Sequence, residues 1–258
     1  MEKKQRKKGV ISISTMQHIG CREEQQDSCA VFKKVDKENA RKELLAVVAD
    51  GMGGLANGDE VSGVVVESAR YYFMNTVFEE EKSASLTDMT YYINEDVLSY
   101  LKQSTDGELS GSTMIAAYIC NRKLNFVSVG DSRIYLFRNG GLIQLNREHV
   151  QLRELYSMRR EEGLTYEEIM SDRQKGALTS YIGIPELEEI DYNMEPVSLK
   201  VGDKLLLMSD GIFGTLSEQE MLEVCNKDTA IAETLGNMVL EKGKLTQDNM
   251  TVVVLEMY

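Results

Sequence analysis

The sequence predicts an α+β fold in which two mostly antiparallel sheets are covered by helices. Three observations point to it. Strands crowd the middle of the chain, where Ser112–Cys120, Leu124–Val129 and Arg133–Phe137 are separated only by short turns. Helical patterns come in pairs, near residues 59–102 and again near 217–241, and do not alternate one for one with strands. That order argues against a doubly wound parallel sheet. Two runs, Leu44–Ala49 and Lys204–Ser209, have the length and apolar composition of buried strands.

In chain order, Val10–Ile19 alternates apolar and polar residues and reads as a strand with one solvated face. The polar connection Gly20–Ser28 leads to a short strand at Cys29–Lys33, and charged Lys34–Lys42 reads as a hairpin loop. Leu44–Ala49 is rich in β-branched residues and stops at Asp50-Gly51-Met52-Gly53-Gly54, where glycines permit a sharp reversal. Val61, Val64, Val65, Ala69, Tyr72 and Phe73 then recur at helical spacing and predict a helix from Asp59 to about Phe78. A second helix runs from Leu86 to about Lys102, and Gly107–Ser110 is a turn.

After the three central strands, Arg138-Asn139-Gly140-Gly141 is a hairpin signal leading to Leu142–Leu145. Glu148 to about Asp172 is polar with a helical cast and reads as an insertion over the surface. Ser217, with Glu220 three residues on, forms a capping box that starts a helix to Cys225. Ala230–Glu241 is the last helix and Met250–Met257 the last strand. Only two prolines occur, Pro185 and Pro196, with no low-complexity linker. A single domain over residues 1–258, with a basic tail at 1–8, is the economical reading.

Composition narrows the function. The 29 basic and 42 acidic residues give a net charge of -13, which argues against binding nucleic acid through phosphate neutralisation. Two histidines, His18 and His149, and four cysteines without Cys-x-x-Cys spacing leave no basis for a zinc finger or a histidine-rich iron centre. A metal site in this chain is built chiefly from oxygen, which favours magnesium, manganese or calcium. The cysteine usage fits a reducing compartment. Val10–Ser14 is too polar for a signal-peptide core, and no run approaches a membrane span. A cytoplasmic protein without a membrane partner is expected.

One device occurs twice. Val47-Val48-Ala49-Asp50-Gly51 and Leu207-Met208-Ser209-Asp210-Gly211 are both apolar strands ending in Asp-Gly, and Asp248 stands just before the last strand. A single aspartate at a strand end is ordinary turn chemistry. Three beside strongly apolar strands are harder to explain that way, and antiparallel neighbours can bring all three to one sheet edge. Clustered carboxylates repel unless cations lie between them. Two divalent ions bridged by a shared carboxylate and a water meet that need and supply a nucleophile near neutral pH. Gly51 can add a backbone carbonyl as a hard oxygen ligand. Arg22 lies in a polar loop between two strands, where a guanidinium can hold two phosphate oxygens. A solvated loop arginine is the plainer alternative.

The pattern resembles the metal-dependent serine/threonine protein phosphatases, the type 2C class, in their compact bacterial form. The segments Arg22–Ser28, Val48–Gly54, Gly111-Ser112-Thr113, Val129–Tyr135, Leu178–Gly183, Ser209-Asp210-Gly211 and Asp248–Val252 are similar to that family's motifs, in the family's order. Each is weak alone; together they are specific. The resemblance implies a four-layer α-β-β-α sandwich that hydrolyses phosphoserine and phosphothreonine by direct attack of a metal-bridging hydroxide. It implies two Mn2+ or Mg2+ ions held by Asp50, Asp210, Asp248 and the Gly51 carbonyl, with Asp50 bridging. Arg22 would grip the substrate phosphate, and Asp27 would steady metal-bound water. Thr113 and Asp131 would serve folding. Glu148–Tyr181 falls where the family carries its flap. Phosphoproteins made by a partner serine/threonine kinase are the implied substrates, and a monomer is the expected state.

Some positions depart from the family pattern. Gln25 stands where asparagine is usual. Gln26 stands where many members place a glutamate that reaches a metal through water. Met52 replaces a histidine proposed as general acid in animal members. A third metal would draw on Glu108 or Asp106, in a loop the sequence does not align uniquely. The rival functions are a catalytically weak or inactive phosphatase-fold binding module and a serine hydrolase. Gly130-Asp131-Ser132-Arg133-Ile134 lacks the last glycine of the hydrolase elbow.

Overall fold

The computed structural model describes residues 10–35, 41–52, 57–78, 82–104, 110–227 and 230–258. One sheet holds β1 (Ile11–His18), β6 (Arg133–Arg138), β7 (Gly141–Gln144), β10 (Lys204–Met208) and β11 (Met250–Met257) in the order β1-β11-β10-β6-β7. The other holds β2 (Asp27–Val35), β3 (Lys42–Asp50), β4 (Met114–Cys120), β5 (Lys123–Val129) and β8 (Asp191–Tyr192) in that order, with β9 (Val197–Ser198) also on β5. Every pairing is antiparallel.

The layering follows from side-chain alternation. Leu44, Ala46 and Val48 of β3 point into one apolar cluster; Leu45, Val47 and Ala49 point into another. A strand apolar at every position must be covered on both sides. In the β1-β11-β10-β6-β7 sheet, Val253 and Leu255 of β11 face the other sheet, whereas Val252 and Val254 face helices. Helices α1 (Gly58–Asn75) and α2 (Lys82–Ser104) cover one outer face through Val61, Val65, Phe73, Leu86, Met89 and Ile93. Helices α5 (Asp210–Phe213), α6 (Glu218–Cys225) and α7 (Ile231–Glu241) cover the other. The result is the expected α-β-β-α order.

The α6 capping box forms as read: Ser217 Oγ accepts from Glu220 N at 3.3 Å, and the Glu220 carboxylate accepts from Ser217 N at 2.9 Å. Between β7 and β8, α3 (Gln151–Glu162) and α4 (Tyr166–Ser171) occupy the polar insertion. Its two ends are tied by His149 O accepting from Thr179 N at 3.0 Å and Ala177 O accepting from Gln151 N at 2.9 Å. The two-residue strands β8 and β9 and the one-turn α5 were not expected, because segments this short carry no periodicity. Strand β2 also begins earlier than read, at Asp27. The basic tail at 1–8, the centre of the hairpin loop at 36–40, Gly53, Gly54, Asp106, Gly107 and Glu108 lie outside the described residues.

Candidate active site

Both sheets contribute to one end of the sandwich. Asp50 closes β3, and Asp27, the first residue of β2, is its cross-strand partner. Asp210 opens α5 directly after β10, and Asp248 lies two residues before β11, which pairs with β10. The expectation of three carboxylates on one sheet edge is therefore corrected. Strand β3 pairs with β2 and β4, whereas β10 pairs with β11 and β6, so Asp50 faces Asp210 and Asp248 across the gap between sheets. Asp27 spans that gap: its Oδ2 accepts from Ser209 Oγ at 2.7 Å.

The backbone around Asp50 is held tightly. Asp50 N donates to Thr113 Oγ1 at 3.1 Å, and Asp50 O accepts from Thr113 N at 2.8 Å and Ser112 Oγ at 3.0 Å. Thr113 Oγ1 also shares a hydrogen bond with Ser132 Oγ at 2.8 Å, consistent with the folding role read for Thr113. Gly51 N donates to Gln26 O at 3.0 Å. A Cβ on Gly51 would come within 2.1 Å of Gly58 O, so only glycine lets these backbones approach.

The carboxylates act on one another's ionisation. Burial, followed by repulsion from Asp27, Asp210, Asp131 and Asp248, holds the Asp50 carboxyl well above its usual range. Burial, then Asp131, Asp248 and Asp27, pushes Asp210 up to about 7, with Arg22 opposing. Asp131 is pushed up to about 6, mainly by burial. Asp27 is raised by burial despite the hydrogen bond from Ser209, with Asp248 adding to the rise, and its Oδ1 has no hydrogen-bond partner. Sequence reasoning gave Asp131 to a turn alone. Its placement after β5 brings its charge against Asp50 and Asp210, which only the strand order reveals.

This donor set fits a hard divalent cation. All the side chains are carboxylates, Arg22 beside Asp248 offsets only part of their mutual repulsion, and Asp27 presents an orphaned buried oxygen. Among the described residues no three His, Cys, Asp or Glu groups already stand as a closed ligand set. Asp248 instead engages Arg22, whose Nη2 donates to Asp248 Oδ2 at 2.7 Å with half its side chain exposed. Gln26 turns its amide toward Gly58, and the Met52 side chain lies against Gly111. Glu108 and Asp106, the alternatives for a third metal, lie outside the described residues.

No helix among the described residues is long and apolar enough to cross a membrane. A family model described as protein phosphatase 2C matches residues 16–242. The serine/threonine phosphatase stp of Listeria innocua is 28% identical over 239 residues, covering 91% of each chain. The solved serine/threonine phosphatase of S. agalactiae superposes with a TM-score of 0.80 at 28% identity, over 96% of this chain and 100% of that one. The solved catalytic domain of the serine/threonine phosphatase PstP, in complex with two manganese ions, superposes with a TM-score of 0.74 at 26% identity, covering 96% and 98%.

Proposed function

Since the chain belongs to the protein phosphatase 2C family and is a serine/threonine phosphoprotein phosphatase, we propose that its chemistry runs at the junction of Asp50, Asp210 and Asp248. The observation that carries this reading is the convergence of buried carboxylates from both sheets, which holds Asp50 far above its ordinary pKa. In this reading, two Mn2+ or Mg2+ ions are held by those three side chains and the Gly51 carbonyl. When bound, they neutralise phosphate charge and activate water for hydrolysis of the phosphomonoester.

The protein's own groups do the rest. Arg22 moves its guanidinium between Asp248 and two oxygens of the substrate phosphate. Asp27, braced by Ser209, turns its free Oδ1 toward the water that attacks. Met52 has no proton to give, so the departing serine or threonine oxygen takes its proton from solvent or another group. Residues 148–181 form the flap beside the site, within one phosphatase domain. We place the enzyme in the cytoplasm as a monomer acting on the products of a serine/threonine kinase.

Release of phosphate from a phosphoserine or phosphothreonine peptide, with manganese, tests the reading. Activity should require the metal and vanish in Asp50→Asn. Metal-loaded wild-type protein that binds the phosphopeptide and never releases phosphate would instead be a binding module.

A further inference from the structure

Asn249 follows Asp248 and is 5% exposed. Both amide hydrogens and the carbonyl oxygen of its side chain are engaged. Oδ1 accepts from Gln26 N at 2.7 Å, and Nδ2 donates to Ile19 O at 2.8 Å and Glu24 O at 2.9 Å. One donor and two acceptors face the amide, so its orientation is fixed by its partners. Aspartate has no donor for the two carbonyls, and serine has only one.

These partners bracket Arg22. Residues 19–26 are the crossover from β1 in one sheet to β2 in the other, with Arg22 in the middle. The same crossover is tied to the opposite segment by Cys21 N donating to Gln247 O at 2.8 Å. At Gly20 the backbone φ is +65°, and a Cβ would lie 2.2 Å from Asp248 O, so the two segments touch with no room for a side chain. Beyond Asn249, Gln26 O takes the hydrogen bond from Gly51 N. One amide thus connects to Asp248 along the chain, to Gly51 through Gln26, and to Arg22 from both flanks.

We propose that Asn249 is a positioning residue: it sets the Arg22 crossover and the Asp50-Gly51 segment at a fixed spacing from Asp248. Phosphate grip and cation ligands then move as one unit, although they come from different sheets. The proposal rests on the functional reading above and assigns Asn249 no contact with substrate.

A double-mutant cycle tests it, because a residue that works in part through Arg22 has less left to do once Arg22 is gone. Wild type, Arg22→Ala, Asn249→Ala and the double variant are compared by kcat/KM on a phosphopeptide with manganese. Asn249→Ala should cost about tenfold or more with Arg22 present and at least about threefold less in its absence, the remainder being the share carried through Gln26 to the Asp50-Gly51 segment. Amide exchange supplies a readout without metal or substrate: Gln26 should exchange at least about tenfold faster in Asn249→Ala, with Val253 in β11 unchanged. Equal losses in both backgrounds, or unaltered Gln26 exchange, overturn the proposal. If Asn249→Ala does not fold, Asn249→Ser is judged by the same criteria. An inactive wild type overturns the phosphatase reading, and the exchange result then decides the positioning claim alone.

Discussion

Replacing Asp210 with asparagine is expected to stabilise the cation-free protein at neutral pH while removing catalysis. The carboxyl is pushed from 3.8 up to about 7, first by burial and then by Asp131, Asp248 and Asp27. A carboxyl raised on folding favours the folded state only while it keeps its proton. Its contribution is therefore intact below the unfolded value and is lost as pH rises toward the folded one. With 3.8 as the unfolded value, ionisation costs about 2 kcal/mol near pH 5 and about 4 kcal/mol near pH 7. Asparagine keeps the shape without the charge. The variant should match wild type near pH 4 and exceed it by up to about 4 kcal/mol near pH 7. Urea unfolding in the presence of a chelator, repeated across that range, measures the difference. Added manganese should reverse the order, because a cation that binds only the folded wild type stabilises it by mass action. A variant no more stable than wild type at neutral pH in chelator, or a gap that fails to widen with pH, would refute the electrostatic account.

Three further outcomes follow from the structure. His149 Nδ1 accepts from Gly130 N at 3.1 Å, a bond only the neutral ring can make. Burial lowers its pKa, with Glu189 and Asp191 opposing and Arg153 reinforcing. Its contribution is present above the unfolded value of 6.5 and lost as pH falls below it. His149→Gln should show a smaller loss of stability on acidification through that window, and identical pH profiles would rule the account out. Gly211→Ala would place a Cβ 2.0 Å from Asn249 O. It should cost about 1–3 kcal/mol and lower kcat by displacing Asp210. Gly176→Ala, with nothing within 4 Å of its Cβ, should leave both the melting temperature and kcat unchanged.

The layers were legible in the sequence because burial on both faces writes itself as a continuous apolar run, as in Leu44–Ala49. The aspartates that end such runs were legible for the same reason. Which sheet each belonged to was not: β3 and β10 look alike locally, and their assignment to different sheets is fixed by pairings distant in sequence. Asp131 illustrates the cost, since Gly130-Asp131-Ser132 carries every mark of a plain turn. Asn249 illustrates it further: its three partners lie more than 220 positions away. The insertion read at Glu148 to about Asp172 had the right location. Its helices were blurred because so little of their surface is buried, with Ile169 the one buried residue of α4.

The layer between the sheets has a consequence for the chemistry at its end. Ala46 and Ala117 sit opposite each other as cross-strand partners, and both face the other sheet. Small residues there let the sheets lie close, and Asp50 travels with one sheet while Asp210 and Asp248 travel with the other. The thickness of the hydrocarbon filling thus sets how far apart those carboxylates stand. On the proposed reading, enlarging Ala46 or Ala117 is expected to lower the catalytic rate although neither side chain touches substrate.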